Sequence, residues 1–115
     1  MLSSELNKML VSRFPNLQEK YLEEVSWQEN HDTGSHIVYG DVLAPYLSDC
    51  LLKDNIKEIQ LVFDFLEEIL KLEDKYADEV VYFSVFESVA YFFKEKDFLI
   101  PYLGEKCKIA LNAVK

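Results

Sequence analysis

Glycine and proline are scarce in this sequence, with three of each in 115 residues. Many-stranded β proteins draw on both residues for the tight turns between their strands, so this composition argues against such a fold. Half of the residues are hydrophobic, with eight phenylalanines and seven tyrosines, which is enough to bury a core. We therefore expect one folded domain, 1–115, that is not rich in strands.

Basic residues are also few. Arg13 is the only arginine, and 21 acidic residues outnumber 12 basic ones, which gives a net charge of −9. Binding of DNA or RNA depends on Lys and Arg side chains that displace counterions from phosphates, so we expect no nucleic-acid partner. A basic protein partner is favoured instead, because opposite electrostatic fields speed encounter. Acidity that only keeps the domain soluble is the alternative.

Cysteines and long apolar runs are scarce too. Cys50 and Cys107 lie far apart and predict buried, reduced thiols rather than a zinc site or a disulfide framework. No stretch approaches the roughly 20 apolar residues of a membrane span. The opening MLSSELNKMLVSRF lacks the continuous apolar segment of a signal peptide. These absences predict a cytoplasmic protein with no membrane contact, no metal and no cofactor.

The hydrophobic period is helical nearly throughout and predicts an all-α fold of about six helices. Their approximate spans are 4–13, 16–27, 41–53, 55–70 and 75–94, with a sixth helix that starts at about Asp97 or Pro101 and ends at Val114. Asp41 is the expected N-cap of the third helix, with Pro45 in its first turns, and Asp54 or Asn55 that of the fourth. The fifth helix is apolar on nearly every side, which predicts a central position.

An internal similarity suggests how the helices pack. The segment DVLAPYLSD, 41–49, aligns without a gap on DFLIPYLGE, 97–105, at a period of 56 residues. A repeated pair of helices indicates stacked hairpins of the HEAT or armadillo kind, although their usual period is about 40–47 residues. The alternative is that two helices with an aspartate cap and an early proline resemble each other by chance.

The segment HDTGSH, 31–36, carries the only two histidines and suggests three kinds of active site. An aspartic protease needs its Asp-Thr-Gly after an apolar strand and a second aspartate, and neither is present. A metal site at His31, Asp32 and His36 lacks further ligands, because the cysteines lie far away. A ribonuclease with both histidines as acid and base would have to attract RNA to an acidic surface. We therefore expect no catalytic residue and interpret the segment as a polar connector.

Negative charge is concentrated in the fourth and fifth predicted helices and the turn between them. Residues 60–88 contain eight acidic residues and two lysines, a net charge of −6. Clustered carboxylates of this kind can mimic a polyanion and cover a basic catalytic surface.

The chain contains FPNLQEKYLEE, then HIVYGDVLAPYL, an acidic helix, an apolar helix and a terminal PYLG. Together these motifs resemble a family of small acidic helical bacterial proteins of unknown function. The similarity covers about residues 14–110, with matches at Phe14, Pro15, 36–41, Pro45, Tyr46 and 101–104. Some relatives are similar to immunity proteins encoded beside polymorphic or contact-dependent toxins. The resemblance implies an immunity protein that neutralises a basic toxin domain, possibly a nuclease, and it implies no catalytic residue.

Two surfaces are predicted to bind the partner. The first is an acidic group formed by Asp64, Glu67, Glu68, Asp74, Asp78 and Glu79. The second is the loop with His31, Asp32 and His36, where Trp27 or Tyr39 could serve as an aromatic anchor. A small helical adaptor unrelated to toxins is the alternative function, and an enzyme that uses the histidines is a third.

Overall fold

The computed structural model describes residues 1–26 and 34–114, and every regular element in these ranges is helical. The α-helices are α1 (Ser3–Arg13), α2 (Gln18–Ser26), α3 (Ser35–Val38), α4 (Ala44–Leu52), α5 (Ile56–Leu70), α6 (Lys75–Glu79), α7 (Glu87–Val89), α8 (Phe92–Glu95) and α9 (Glu105–Val114). Two 3₁₀-helices, Pro15–Leu17 and Asp97–Tyr102, and two π-helical segments, Tyr39–Leu43 and Val80–Phe86, complete the fold. The predicted all-α class is confirmed.

Helix α5 forms as the sequence predicts. The side chain of Asn55 accepts a hydrogen bond from the amide of Glu58 and caps the first turn. Its apolar residues recur every three or four positions and are buried, whereas Asp64 and Glu68 are exposed. Helix α5 therefore packs through one face and presents carboxylates on another.

The third predicted helix begins earlier than expected. It starts at Ser35, and α3, the first π-helical segment and α4 form one continuous rod over 35–52. Asp41 is therefore not an N-cap, which corrects that prediction. Pro45 lies inside the rod, where its ring would clash with the carbonyl four residues earlier and its nitrogen cannot donate. The wider π turn that directly precedes it offers a physical reason why the helix continues through a proline.

The fifth predicted helix is present but divided. Asp74 caps it by accepting from the amide of Ala77, and helical structure then runs from α6 through the second π-helical segment to α8, with a turn between α7 and α8. This segment packs against α9 and the first π-helical segment, in agreement with a central position. It is not enclosed, however, because Phe83 is 57% exposed and Tyr91 61% exposed. A π turn shifts the helical phase, so the apolar stripe leaves the core side.

The two copies of the apparent repeat have different backbones. Residues 41–49 lie within the continuous rod, whereas 97–105 contain a 3₁₀-helix, an extended Leu103 (ψ 142°) and the start of α9. The similarity of the two segments therefore does not produce a structural repeat. The expected HEAT-like packing is not confirmed.

The core is rich in aromatic side chains. Phe63 stacks on Phe86 with ring centroids 6.1 Å apart and lies 5.9 Å from Phe93. Cys50 and Cys107 are free and buried, and burial raises the pKa of both thiols. The expectation that both thiols are buried is confirmed.

Candidate functional site

Glu67, which was predicted to contact a partner, caps a helix of its own chain. Its carboxylate accepts hydrogen bonds from the backbone amides of Lys106 (3.2 Å) and Cys107 (2.9 Å), in the first turn of α9. Those amides have no acceptor within their own helix, and the negative charge also suits the positive end of the helix dipole. Glu67 therefore joins α5 to α9, and its contact with a partner stays a prediction.

Gly104 makes this cap possible. The glycine directly precedes α9, at the position where a Ser or Asp side chain would often cap the helix. A Cβ built on Gly104 would lie 2.5 Å from the Cδ of Glu67, well inside van der Waals contact. The last residue of the PYLG motif is thus explained by the space that a carboxylate from another helix needs.

Three further members of the acidic group have partners within the chain. Asp74 caps α6 and lies 2.6 Å from the N-terminal ammonium of Met1, and hydrogen bonds from that ammonium and from Ala77 hold the pKa of Asp74 below its usual value. Glu68 forms an exposed ion pair with Arg13. Asp64 accepts from Nε2 of Gln60 at 2.8 Å, yet remains exposed.

Asp78 and Glu79 differ from the rest of the acidic group. The Oδ1 atom of Asp78 is shielded from solvent and accepts no hydrogen bond from any described residue. Burial raises the pKa of this carboxyl, and the charges of Asp74 and Glu73 add to the effect, while Lys106 opposes it. Glu79 is half-buried and forms no hydrogen bond or ion pair with the described residues. Within the described residues, these two carboxylates are the members of the acidic group that form no hydrogen bond and no ion pair.

Asp78 and Glu79 line a hollow of about 460 Å³ on the surface of α6 and the second π-helical segment. Its walls combine three carboxylates, one lysine and two aromatic rings: Glu73, Asp78, Glu79, Lys75, Tyr82 and Phe83. The rings of Tyr82 and Phe83 stand edge to face, with centroids 6.5 Å apart. A second hollow of about 140 Å³ shares Asp78 and Tyr82 and extends to Lys106 and the exposed Ile109. We call these two adjoining hollows the Asp78 groove.

The second predicted surface is described only in part. His31 and Asp32 lie outside the described residues, as does Trp27. His36 is exposed; its Nδ1 lies 2.8 Å from Oγ of Ser84, and its ring meets Tyr76 edge-on. His36 therefore lies against α6 and the second π-helical segment, the same elements that carry the Asp78 groove.

Tyr39 was expected to anchor a partner, and its position rules this out for the folded chain. The side chain is fully buried, and its hydroxyl donates a 2.6 Å hydrogen bond to the carbonyl oxygen of Leu6. Its ring stacks on Phe65. Burial raises the pKa of Tyr39 far above its ordinary value. Tyr39 is thus a core residue that joins the first π-helical segment to α1.

The described residues contain neither a cluster of metal ligands nor a helix that could span a membrane. Within 1–26 and 34–114, no three His, Cys, Asp or Glu side chains are grouped closely enough to hold a metal ion. Over the same ranges, none of the helices combines the length and apolar character that crossing a membrane requires.

Comparison with known proteins identifies a family. Residues 7–114 match the family described as a domain of unknown function, DUF7674. The chain belongs to this family. No curated protein and no solved structure matches it. The DUF7674 match includes all of the Asp78 groove and the cap formed by Glu67.

Of the groove in this DUF7674 domain, the predicted contacts include only Asp78 and Glu79. Glu73, Tyr82 and Phe83 are among the lining residues that the sequence reasoning missed. Glu73 was counted in the charge of 60–88 but was not among the predicted contacts, although its side chain is 79% exposed. The rings were assigned to a helix core because an apolar α-helix without a π turn would bury them. The polar residues Ser84, Glu87 and Ser88 indicated which side of this helix faces solvent. No pattern in the sequence located the π turn.

Proposed function

We propose that this protein is an immunity protein, acting in the cytoplasm, that binds a basic toxin domain and neutralises it by covering its active site or substrate groove. A nuclease is the toxin class that best suits such an inhibitor, because a nuclease surface is built to attract phosphates. The motifs FPNLQEKYLEE and HIVYGDVLAPYL support the proposal through their resemblance to relatives of immunity proteins. The net charge of −9 supports a basic partner.

The observation that carries the proposal is the Asp78 groove. Protein interfaces gain most of their affinity from a few aromatic and charged side chains in a desolvated centre. Here the exposed ring of Phe83 and the partly buried ring of Tyr82 lie beside carboxylates that have few partners in the chain. The other acidic residues, above all Glu67 and Asp74, serve the fold, so we place the contact surface at Glu73, Asp78, Glu79 and Phe83.

Co-expression tests the proposed function. The product of the gene next to the one encoding this protein is expressed with and without it, and the viability of the cells is measured. We expect the neighbouring product to be toxic alone and harmless together with this protein, and the two to co-purify. If the neighbouring product is toxic but is neither bound nor neutralised, the immunity function is wrong.

Charge reversal then tests the surface. Glu79→Lys in the groove is compared with Glu19→Lys on α2, which changes the net charge by the same amount at an exposed site elsewhere. We expect Glu79→Lys to weaken toxin binding by about tenfold or more, with a smaller dependence on salt, and Glu19→Lys to change it by less than about threefold. Equal effects would mean that only the overall charge matters.

A helical adaptor is the second candidate, favoured by exposed aromatic residues outside the groove. Tyr91 and Phe98 are 61% and 55% exposed, and neither lines the Asp78 groove. A protein that joins two partners needs a second apolar contact of this kind. Tyr91→Ser with Phe98→Ser separates the two functions: an immunity protein that uses the groove keeps its ability to rescue cells, whereas an adaptor loses one partner.

A further inference from the structure

We infer that the Asp78 groove is a receptor for an arginine side chain, presented by an exposed segment of the basic partner. This inference deepens the proposed function, on which it rests for the existence of a partner. It adds the chemical group that is recognised, the residue that recognises it and a preference for arginine over lysine.

Asp78 has a carboxylate oxygen with no hydrogen-bond donor among the described residues. This atom, Oδ1, is also shielded from water. A partly buried carboxylate without a hydrogen-bond donor is costly to a fold, and a cation that pairs with it offsets part of that cost. The nearby Lys106 acts on Asp78 through its charge, but its Nζ atom approaches Glu73, at 3.9 Å. Because Oδ1 is closed to solvent, a donor that enters the groove meets the other oxygen of a carboxylate whose charge no hydrogen bond from the described residues neutralises.

The larger hollow of the groove combines carboxylates with aromatic rings. Tyr82 and Phe83 lie in the same wall as Asp78 and Glu79, and more than half of the Phe83 side chain is accessible. A guanidinium group is planar, donates in a fork that matches a carboxylate, and stacks on aromatic faces. An ammonium group is more strongly hydrated and has no flat face to stack. The walls of the groove thus suit arginine better than lysine.

The charge and the volume of the larger hollow also suit an arginine side chain. Three carboxylates and one lysine line the larger hollow, so a cation entering it meets a negative field. Its volume of about 460 Å³ exceeds what one guanidinium group and its aliphatic stem require. The remaining space lies beside Phe83, and the adjoining hollow reaches Ile109, which is 60% exposed. Apolar neighbours of the arginine can contact these two side chains.

The probe for the test is N-acetyl-arginine amide, titrated into the isolated protein and followed by the NMR shifts of its backbone amides. A ligand of this size in such a site has a Kd on the order of 1 mM. We expect saturable shifts concentrated at residues 73–83 and 106–109. N-acetyl-citrulline amide has the same shape without the charge and serves as the matched probe, and N-acetyl-lysine amide tests the choice of cation. Both should bind at least about fivefold more weakly.

Substitutions in the groove identify the residues that bind the arginine probe. Asp78→Asn should raise the Kd of the arginine probe by about tenfold, because it removes the charged acceptor. Asp49→Asn is the matched control on α4, where the aspartate is exposed and pairs with Lys53 at 3.1 Å; it should leave the Kd unchanged. Lys106→Met should lower the Kd, since it removes a competing cation. Phe83→Ala, at a site that is largely exposed, should raise it through the lost stacking.

The inference is overturned if citrulline or lysine amide binds as well as the arginine probe, if the shifts spread over all acidic residues, or if Asp78→Asn binds as tightly as wild type. The spectra report at the same time whether each variant is folded. The titration needs no toxin, so its failure leaves the co-expression test intact. Failure of co-expression together with a positive titration would mean that the groove binds arginine for a different partner.

Discussion

At the scale of single residues, the decisive distinction is between carboxylates that serve the fold and carboxylates that cost it stability. Asp74 accepts donors, and those donors lower the pKa of its carboxyl. Asp78 lacks a donor at Oδ1, and burial raises the pKa of its carboxyl. Two acidic residues four positions apart therefore have opposite effects on stability.

The pH dependence of stability should reveal this difference. Because the folded pKa of Asp74 is lowered, its stabilisation is present above the unfolded pKa of about 3.9 and is lost as pH falls through the folded value. Because the folded pKa of Asp78 is raised, its contribution is present below about pH 3.9 and is lost as pH rises through the folded value. Asp74→Asn should therefore be less stable than wild type at neutral pH, and Asp78→Asn should be more stable.

Urea denaturation at a series of pH values measures both effects. The difference between each variant and wild type should shrink toward zero in acid, with opposite signs for the two positions. A destabilised Asp78→Asn at pH 7 would show that the ionised carboxylate stabilises the fold, which contradicts the role assigned to it.

Glycine at position 104 supports a second prediction at this scale. Gly104→Ala should lower the free energy of unfolding by about 1–3 kcal/mol, because the new methyl group displaces the carboxylate of Glu67 from α9. Gly40→Ala is the matched control, since its Cβ would meet Ser84 at an ordinary 3.8 Å within a helix. Alanine there should be neutral or stabilising by up to about 1 kcal/mol. Equal loss in both variants would contradict the steric explanation.

At the scale of helices and their connections, distant side chains decide where several helices begin. Helix α9 is capped by Glu67 of α5, and α3 begins where Ser35 joins α1. The hydroxyl of Ser35 lies 2.8 Å from Oδ1 of Asn7 and 3.2 Å from the carbonyl oxygen of Ser3, and both Ser35 and Asn7 are buried. The start of α3 is therefore fixed by a polar network with α1.

Removing that network should destabilise the fold. Ser35→Ala deletes a buried hydroxyl and leaves Oδ1 of Asn7 without this donor, so we expect a loss of about 1–3 kcal/mol in the free energy of unfolding. Ser88→Ala is the control, because Ser88 is exposed and makes only a long 3.4 Å bond to Ser84; the change should be within about 0.5 kcal/mol. Chemical denaturation followed by circular dichroism measures both values. A similar loss in the free energy of unfolding at the two serines would show that the hydrogen bonds of Ser35 to α1 do not stabilise the fold more than an exposed serine does.

The cap between α5 and α9 can be tested in the same way. Glu67→Ala should cost about 1–2 kcal/mol, because two amides of α9 lose their acceptor. Glu68→Ala, next in sequence, breaks only an exposed ion pair with Arg13 and should cost less than about 1 kcal/mol. Thermal and urea denaturation of the two variants make the comparison. If Glu68→Ala is the more harmful change, the cap is not the dominant contact.

At the scale of the whole molecule, repulsion among the negative charges destabilises the fold, whereas burial of one shared core stabilises it. One core cluster includes residues from α1 to α9, from Leu6 to Leu111. The net charge of −9 repels itself in the folded state, most strongly around 60–88. Stability should therefore depend on ionic strength, in addition to any effect of salt on a partner.

We expect the free energy of unfolding to rise as NaCl increases from about 0.01 M to about 0.15 M, since the Debye length falls from about 30 Å to about 8 Å. Glu73→Lys, at a largely exposed position in the acidic region, should reduce this dependence on salt. Urea denaturation at the two salt concentrations provides the values. Stability that falls with salt would indicate that attractive ion pairs outweigh the repulsion.

The sequence by itself determined the helical class, the buried face of α5 with its cap at Asp54 or Asn55, and the burial of both cysteines. These features depend on periodicity, local capping and composition, which neighbouring residues in the chain fix. The net charge, and with it the kind of partner to expect, also follows from the sequence.

Only the tertiary structure decided which acidic residues are available. Glu67 and Asp64 are three positions apart on one helix, yet the first is held by the amides of α9 and the second faces solvent. The π turns likewise brought Phe83 to the surface and placed Asp41 inside a helix. Contacts between residues distant in sequence set these outcomes, because a carboxylate is occupied or available according to the donor that packs against it, and no local pattern encodes that donor.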